Sequence, residues 1–188
     1  MIGTAALPKA YKDLARPDLP RMLREAVALY GVTEAQGSAD NPEILKWATQ
    51  TGLNKQGYTA DSVPWCGLFA AIAAQRAGWH WPAQPLWALN WLNFGEPIEK
   101  PGLGDVLVFR RPGGGHVGFY VGEDETHWHV LGGNQGDAVS IIRLPRKQVA
   151  KGVGFRGARQ PEWRLARPAT AVPVIRTARG VATGGSLA

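Results

Sequence analysis

The chain is expected to fold as an α+β domain, with N-terminal helices packed on an antiparallel sheet of about five strands. Three observations predict this. Apolar residues recur at helical spacing up to about residue 92. From Asp105 onward they fall in short runs that read as strands. The linkers between those runs are short, as a meander of neighbouring antiparallel strands requires. Helices first and strands afterwards is the pattern of an α+β layer structure.

Each element has its own local reason. Residues 1–17 read as a loosely held leader. The first helix is predicted over Leu19–Tyr30, with Asp18 as cap, Pro20 in the first turn and Gly31 as stop. Leu19, Met22, Leu23, Ala26, Val27 and Tyr30 make its apolar stripe. A polar loop, Thr33–Asp40, leads to Asn41-Pro42-Glu43, which reads as cap, first-position proline and first-turn acid. That second helix carries Ile44, Leu45, Trp47 and Ala48 and closes at Gly52. After a loop over residues 53–64, an alanine-rich third helix runs from Cys66 to a stop at Gly78. A short Trp-rich helix is predicted over residues 86–92. Strands follow at Asp105–Phe109, His116–Val121, His127–Leu131, Val139–Leu144 and Val153–Arg156. The domain is thus expected to span residues 18–157, with residues 158–188 as a basic, disordered tail.

Composition narrows the function classes. A length of 188 residues suits one domain with a full core. One cysteine permits no internal disulfide. The net charge of +6 is uneven, because five arginines against one acid in residues 158–188 account for +4 of it. The remaining domain is nearly neutral, which argues against a nucleic-acid groove. The N-terminus lacks the pattern of a signal peptide, and no run of about 18 apolar residues suggests a transmembrane helix. A monomer is expected.

Three residues are candidates for chemistry. Cys66 stands at the start of a helix, where unpaired N–H groups and the positive end of the dipole favour a thiolate. By itself it reads equally well as a small core residue. His116 opens a strand directly after Gly113-Gly114-Gly115, and Gly118 beside it leaves that face free of bulk for a neighbouring element or a substrate. Asn134 follows Gly132-Gly133 at the end of the next strand, where an amide can orient an imidazole. It is also well suited to a plain turn.

Together these segments carry a resemblance. Asn41-Pro42-Glu43-Ile44, Pro64-Trp65-Cys66 and Gly104-Asp105-Val106 form its first part, followed by Gly115-His116-Val117-Gly118-Phe119-Tyr120-Val121-Gly122 and Leu131-Gly132-Gly133-Asn134-Gln135. The chain resembles the CHAP and NlpC-type cell-wall hydrolases of the papain-like cysteine amidase/peptidase superfamily, and within them a phage endolysin-like group. The match covers roughly residues 20–157. The resemblance implies a papain-like core, with Cys66 as nucleophile, His116 as general base and Asn134 as the residue that orients it. Gln135 is the nearest rival for that third role. The Cys66 N–H is the expected oxyanion donor. Tyr58, Asp61 and Ser62 lie in the loop where a second donor is sought. Trp65, Gln135 and Trp128 are kept as candidate substrate contacts.

The implied activity is hydrolysis of a peptidoglycan amide bond, by an N-acetylmuramoyl-L-alanine amidase or a stem-peptide endopeptidase. The enzyme would be made in a host cytoplasm or carried in a virion. A non-catalytic wall-binding or phage structural module on the same fold and an interbacterial amidase toxin remain alternatives. No cofactor is expected. His127 and His129 share a strand face but make a weak metal pair, Glu123-Asp124-Glu125 lacks the spacing of a calcium loop, and the calcium-binding loop of some relatives is not found.

Overall fold

The computed structural model describes residues 5–147 and the backbone of residues 148 and 155–157. The architecture is α+β, with helices packed on one face of a sheet. Helix α1 spans Arg21–Val27, α2 spans Pro42–Thr51 and α3 spans Cys66–Ala77. The strands are β1 Glu96–Pro97, β2 Val106–Arg111, β3 Gly114–Glu123, β4 His127–Gly132, β5 Ser140–Pro145 and β6 Phe155–Gly157.

Helix α2 starts and stops where its sequence says. The Asn41 side chain accepts the Glu43 N–H at 2.8 Å, and Gly52 ends the helix at φ 74°. Helix α3 is the central element. Ten of its twelve residues are buried, so it is enclosed on nearly all sides. Its alanines let α1, α2 and β3 approach closely, and Phe69 meets Phe119 of the sheet edge-on at 5.8 Å between centroids.

Helix α1 is shorter than predicted. Pro20 holds extended dihedrals (φ −48°, ψ 133°), so the helix begins after it. Asp18 pairs with Arg16 at 2.7 Å instead of capping. The Trp-rich segment is a 3-10 helix over Ala88–Asn93, in which the buried Trp91 indole donates to the Pro85 carbonyl at 2.9 Å.

The sheet order is β1-β6-β2-β3-β4-β5, with every pair antiparallel. Strands β2 to β5 form the expected meander. The fifth expected strand lies at Phe155–Gly157 and joins the opposite edge, between β1 and β2. Strand β1 was not foreseen, because two residues ending in Pro97 carry no alternation. Val106, Val108, Val117, Phe119, Val121 and Leu131 face the helices. Leu107, Phe109, Tyr120, Trp128, Val130, Ile142 and Leu144 form a second buried cluster.

The N-terminal segment is not a loose leader. Lys9–Ala15 forms a 3-10 helix whose Tyr11 and Leu14 are buried. The Tyr11 hydroxyl bonds His129 Nδ1 at 2.9 Å, and His129 Nε2 bonds Asp124 at 3.0 Å. Asp124 also accepts from Arg143 at 2.6 Å. Burial works to raise the Asp124 carboxyl, but these donors outweigh it and hold the group well below the usual carboxylate range. Among the described residues no helix is long and apolar enough to cross a membrane. The tail over 158–188 lies outside the described residues.

Candidate active site

The site is built where the first turn of α3 meets the start of β3 and the turn after β4. Cys66 is the first residue of α3, with Trp65 at the cap position. The backbone of Pro85 and Leu86 lies over this first turn. A Cβ on Gly67 would strike both carbonyl oxygens, so only glycine permits the approach. Cys66 is 5% exposed and His116 2%.

The thiol departs from the expectation set by its helix position. Burial pushes its pKa up. The backbone N–H of Val117, the Arg111 charge and the N–H groups of Gly67 and Cys66 pull the other way without prevailing. The resting sulfur is therefore protonated at neutral pH. The Val117 contact also locates it, because Val117 is the residue next to His116 on β3.

The His116 imidazole is oriented by Gln135. The Gln135 amide nitrogen donates to the carbonyls of Val130 (3.2 Å) and Ser140 (2.5 Å). Its carbonyl oxygen is thereby turned to His116 Nε2, at 2.9 Å. An amide oxygen only accepts, so the neutral imidazole carries its proton on Nε2, and Nδ1 is the lone-pair nitrogen. Burial lowers the His116 pKa to about 4; the Gln135 bond opposes this and the Arg111 charge adds to it. Thiol and imidazole are thus both uncharged at rest.

This corrects the assignment of the orienting residue. Asn134 sits at φ 56° in the turn, and its side chain donates to Glu34 Oε1 at 2.8 Å, not to His116. Gln135 takes the orienting role and is buried behind the imidazole, so it is no substrate contact. Trp65 is fully buried, with its indole donating to Glu34 Oε1 at 2.6 Å. Trp128 lies four residues from Gly132 along β4, about 13 Å away. It packs against Tyr120 and under the Arg146 guanidinium, away from the site. Gly118 is filled by β4 rather than left open, since a Cβ there would meet Val130 and Leu131.

The two glycines before Asn134 have separate reasons. A Cβ on Gly132 would lie 2.6 Å from Gln135 Oε1 and 3.0 Å from His116 Nε2. A Cβ on Gly133 would lie 2.6 Å from both Trp65 and Phe69. The first glycine admits the hydrogen-bonded pair, and the second admits the start of α3.

Neither Tyr58 nor Asp61 is free to serve as an oxyanion donor. Tyr58 is buried with its hydroxyl toward the Val63 carbonyl, and burial raises its pKa. Asp61 accepts the backbone N–H groups of Ala35 and Asn41. Ser62 is exposed. His127 and His129 do have an acid beside them, Asp124. Yet no cluster of three or more His, Cys, Asp or Glu placed to hold a metal occurs among the described residues.

Sequence reasoning missed Glu34, which sat unremarked in a polar loop. Its burial works to raise its pKa, against the Trp65 N–H. No local signal marks it, because its partners lie 31 and 100 residues away. Comparison of the chain with protein-family models, curated proteins and solved structures gave no match.

Proposed function

We propose that the protein is a cysteine-dependent hydrolase of a peptidoglycan amide bond, with Cys66 as nucleophile, His116 as base and Gln135 as the residue that orients the base. The observation that carries the chemistry is the Gln135–His116 bond. It leaves Nδ1 as acceptor on the residue whose neighbour, Val117, contacts the Cys66 sulfur. The cell-wall substrate is supported by the motif resemblance, as is a phage setting in which the protein is made in the host or carried in the virion.

Because both groups are neutral at rest, the proton moves as attack occurs. Nδ1 takes the thiol proton while sulfur bonds to the carbonyl carbon. The resulting imidazolium is stabilised by its Nε2–H bond to Gln135. It then returns the proton to the leaving amine as the C–N bond breaks, giving a thioester. Water, deprotonated by the same nitrogen, cleaves the thioester to a carboxylic acid and restores the thiol. The Cys66 backbone N–H is the donor offered to the oxyanion.

One observation favours a second reading, a wall-binding module without turnover: the thiol and the imidazole are almost closed off from solvent. Both readings meet one experiment. Purified wild type and Cys66→Ala are incubated with peptidoglycan and the soluble products weighed by mass spectrometry. New fragments from wild type alone support the hydrolase, and their masses separate amidase from endopeptidase. Binding without fragments from a folded, reduced wild type overturns it.

A further inference from the structure

Glu34 joins the two halves of the site through one atom. Its Oε1 accepts the indole N–H of Trp65 at 2.6 Å and the side-chain amide N–H of Asn134 at 2.8 Å. Trp65 immediately precedes the Cys66 nucleophile and holds the cap position of α3. Asn134 immediately precedes Gln135, which orients His116. Both donors are buried, Trp65 completely and Asn134 to 7% exposure.

The loop bearing Glu34 is itself laced to the segment after Gln135. Glu34 N–H donates to the Asp137 carbonyl at 2.8 Å, Thr33 bridges Ala138, and Val139 N–H donates to Val32 at 2.7 Å. Gly31 N–H donates to Val139 at 2.9 Å. The carboxylate is thus held on a fixed backbone and acts as a strut. Asn134 occupies the left-handed region at φ 56°, a conformation that its side-chain bond to Glu34 helps to retain. A shift of that residue moves Gln135 and with it the imidazole, whereas a shift of Trp65 moves the thiol.

We propose that Glu34 is a positioning residue of this active site, setting the register between the Cys66 thiol and the His116–Gln135 pair. The inference rests on the hydrolase reading for its kinetic arm, but the geometry it asserts is measurable without turnover.

The test compares Glu34→Gln and Glu34→Ala with wild type in the full chain. Glutamine keeps an oxygen that accepts both donors, whereas alanine keeps none. Two readouts are taken on protein shown folded by circular dichroism. One is the rate of Cys66 alkylation by iodoacetamide at pH 8; the other is kcat and KM on peptidoglycan. Glu34→Ala should admit water to the sulfur, relieve the burial that keeps it protonated, and speed alkylation by about threefold or more. Its kcat should fall by about 10- to 100-fold with KM little changed, as expected for a misplaced nucleophile. Glu34→Gln should stay close to wild type in both.

Wild-type alkylation in folded Glu34→Ala overturns the proposal, as does a Glu34→Gln variant as altered as Glu34→Ala. Should Glu34→Ala not fold, Asn134→Asp, which replaces the amide donor with an acceptor of nearly the same shape and tolerates the left-handed backbone, carries the same test. Faster alkylation supports the proposal and an unchanged rate overturns it. Absence of peptidoglycan cleavage by wild type would sink the hydrolase reading and leave the alkylation result standing.

Discussion

The neutral, buried state of His116 makes a pH-dependent contribution to stability that can be measured. Its pKa is lowered from 6.5 to about 4 on folding. Between these values the unfolded chain binds the proton and the folded chain does not, so stability falls as pH falls. The contribution is fully present above pH 6.5 and is lost progressively toward pH 4. Applied to these two values, linkage gives a loss of about 2 kcal/mol between pH 7 and pH 5 from this residue alone. His129 is also lowered, first by burial, and adds in the same direction; Glu34 is raised and acts oppositely. The assay therefore compares wild type with His116→Gln, in which those groups remain. Urea denaturation at pH 5, 6 and 7 gives the stability of each. Wild type should lose about 2 kcal/mol more than the variant between pH 7 and pH 5. Parallel pH dependence of the two proteins would refute the account of a buried, uncharged imidazole, and with it the assignment of Nδ1 as a base ready at neutral pH.

Three further outcomes follow from the same geometry. Alkylation of wild-type Cys66 should rise with a midpoint above 9.0, because burial raises the thiol; a midpoint near 7 would mean a preformed thiolate–imidazolium pair instead. Gln135→Leu leaves the His116 Nε2–H and the carbonyls of Val130 and Ser140 without their partner, and should cost about 2–4 kcal/mol in denaturant titration while lowering kcat at least tenfold. Gly133→Ala puts a methyl 2.6 Å from Trp65 and Phe69 and should cost about 1–3 kcal/mol by thermal unfolding, whereas Gly114→Ala, with nothing within 4 Å, should be close to neutral.

The helices and the meander were legible because their causes are local. Asn41 caps α2 through Glu43, two residues away, and the glycine at its end supplies the left-handed turn. Alternation placed Val117 and Phe119 toward the helices because adjacent side chains on a strand face opposite ways. Cys66 and His116 were singled out for the same kind of reason, a helix start and a strand start flanked by glycine. Where a local rule met a second one, it failed. Pro20 displaced the Asp18 cap, and the helix-start argument for a thiolate lost to burial, which depends on what packs over the first turn.

What the sequence determined by itself is the three main helices and the strands of the meander, their order, and the candidate nucleophile and base, since each follows from the dihedral and hydrogen-bonding preferences of a few neighbouring residues. Only the tertiary structure decided between Asn134 and Gln135. Two adjacent amides after Gly-Gly look alike in one dimension, but the left-handed turn at Asn134 sends its side chain to Glu34 and leaves Gln135, pinned by Val130 and Ser140, facing the imidazole. Tertiary packing likewise placed β6 between β1 and β2, away from the end of the meander, drew Tyr11 onto His129, and brought Glu34 to Trp65 and Asn134. Those contacts join residues tens of positions apart, and their energies depend on burial, which no stretch of sequence contains.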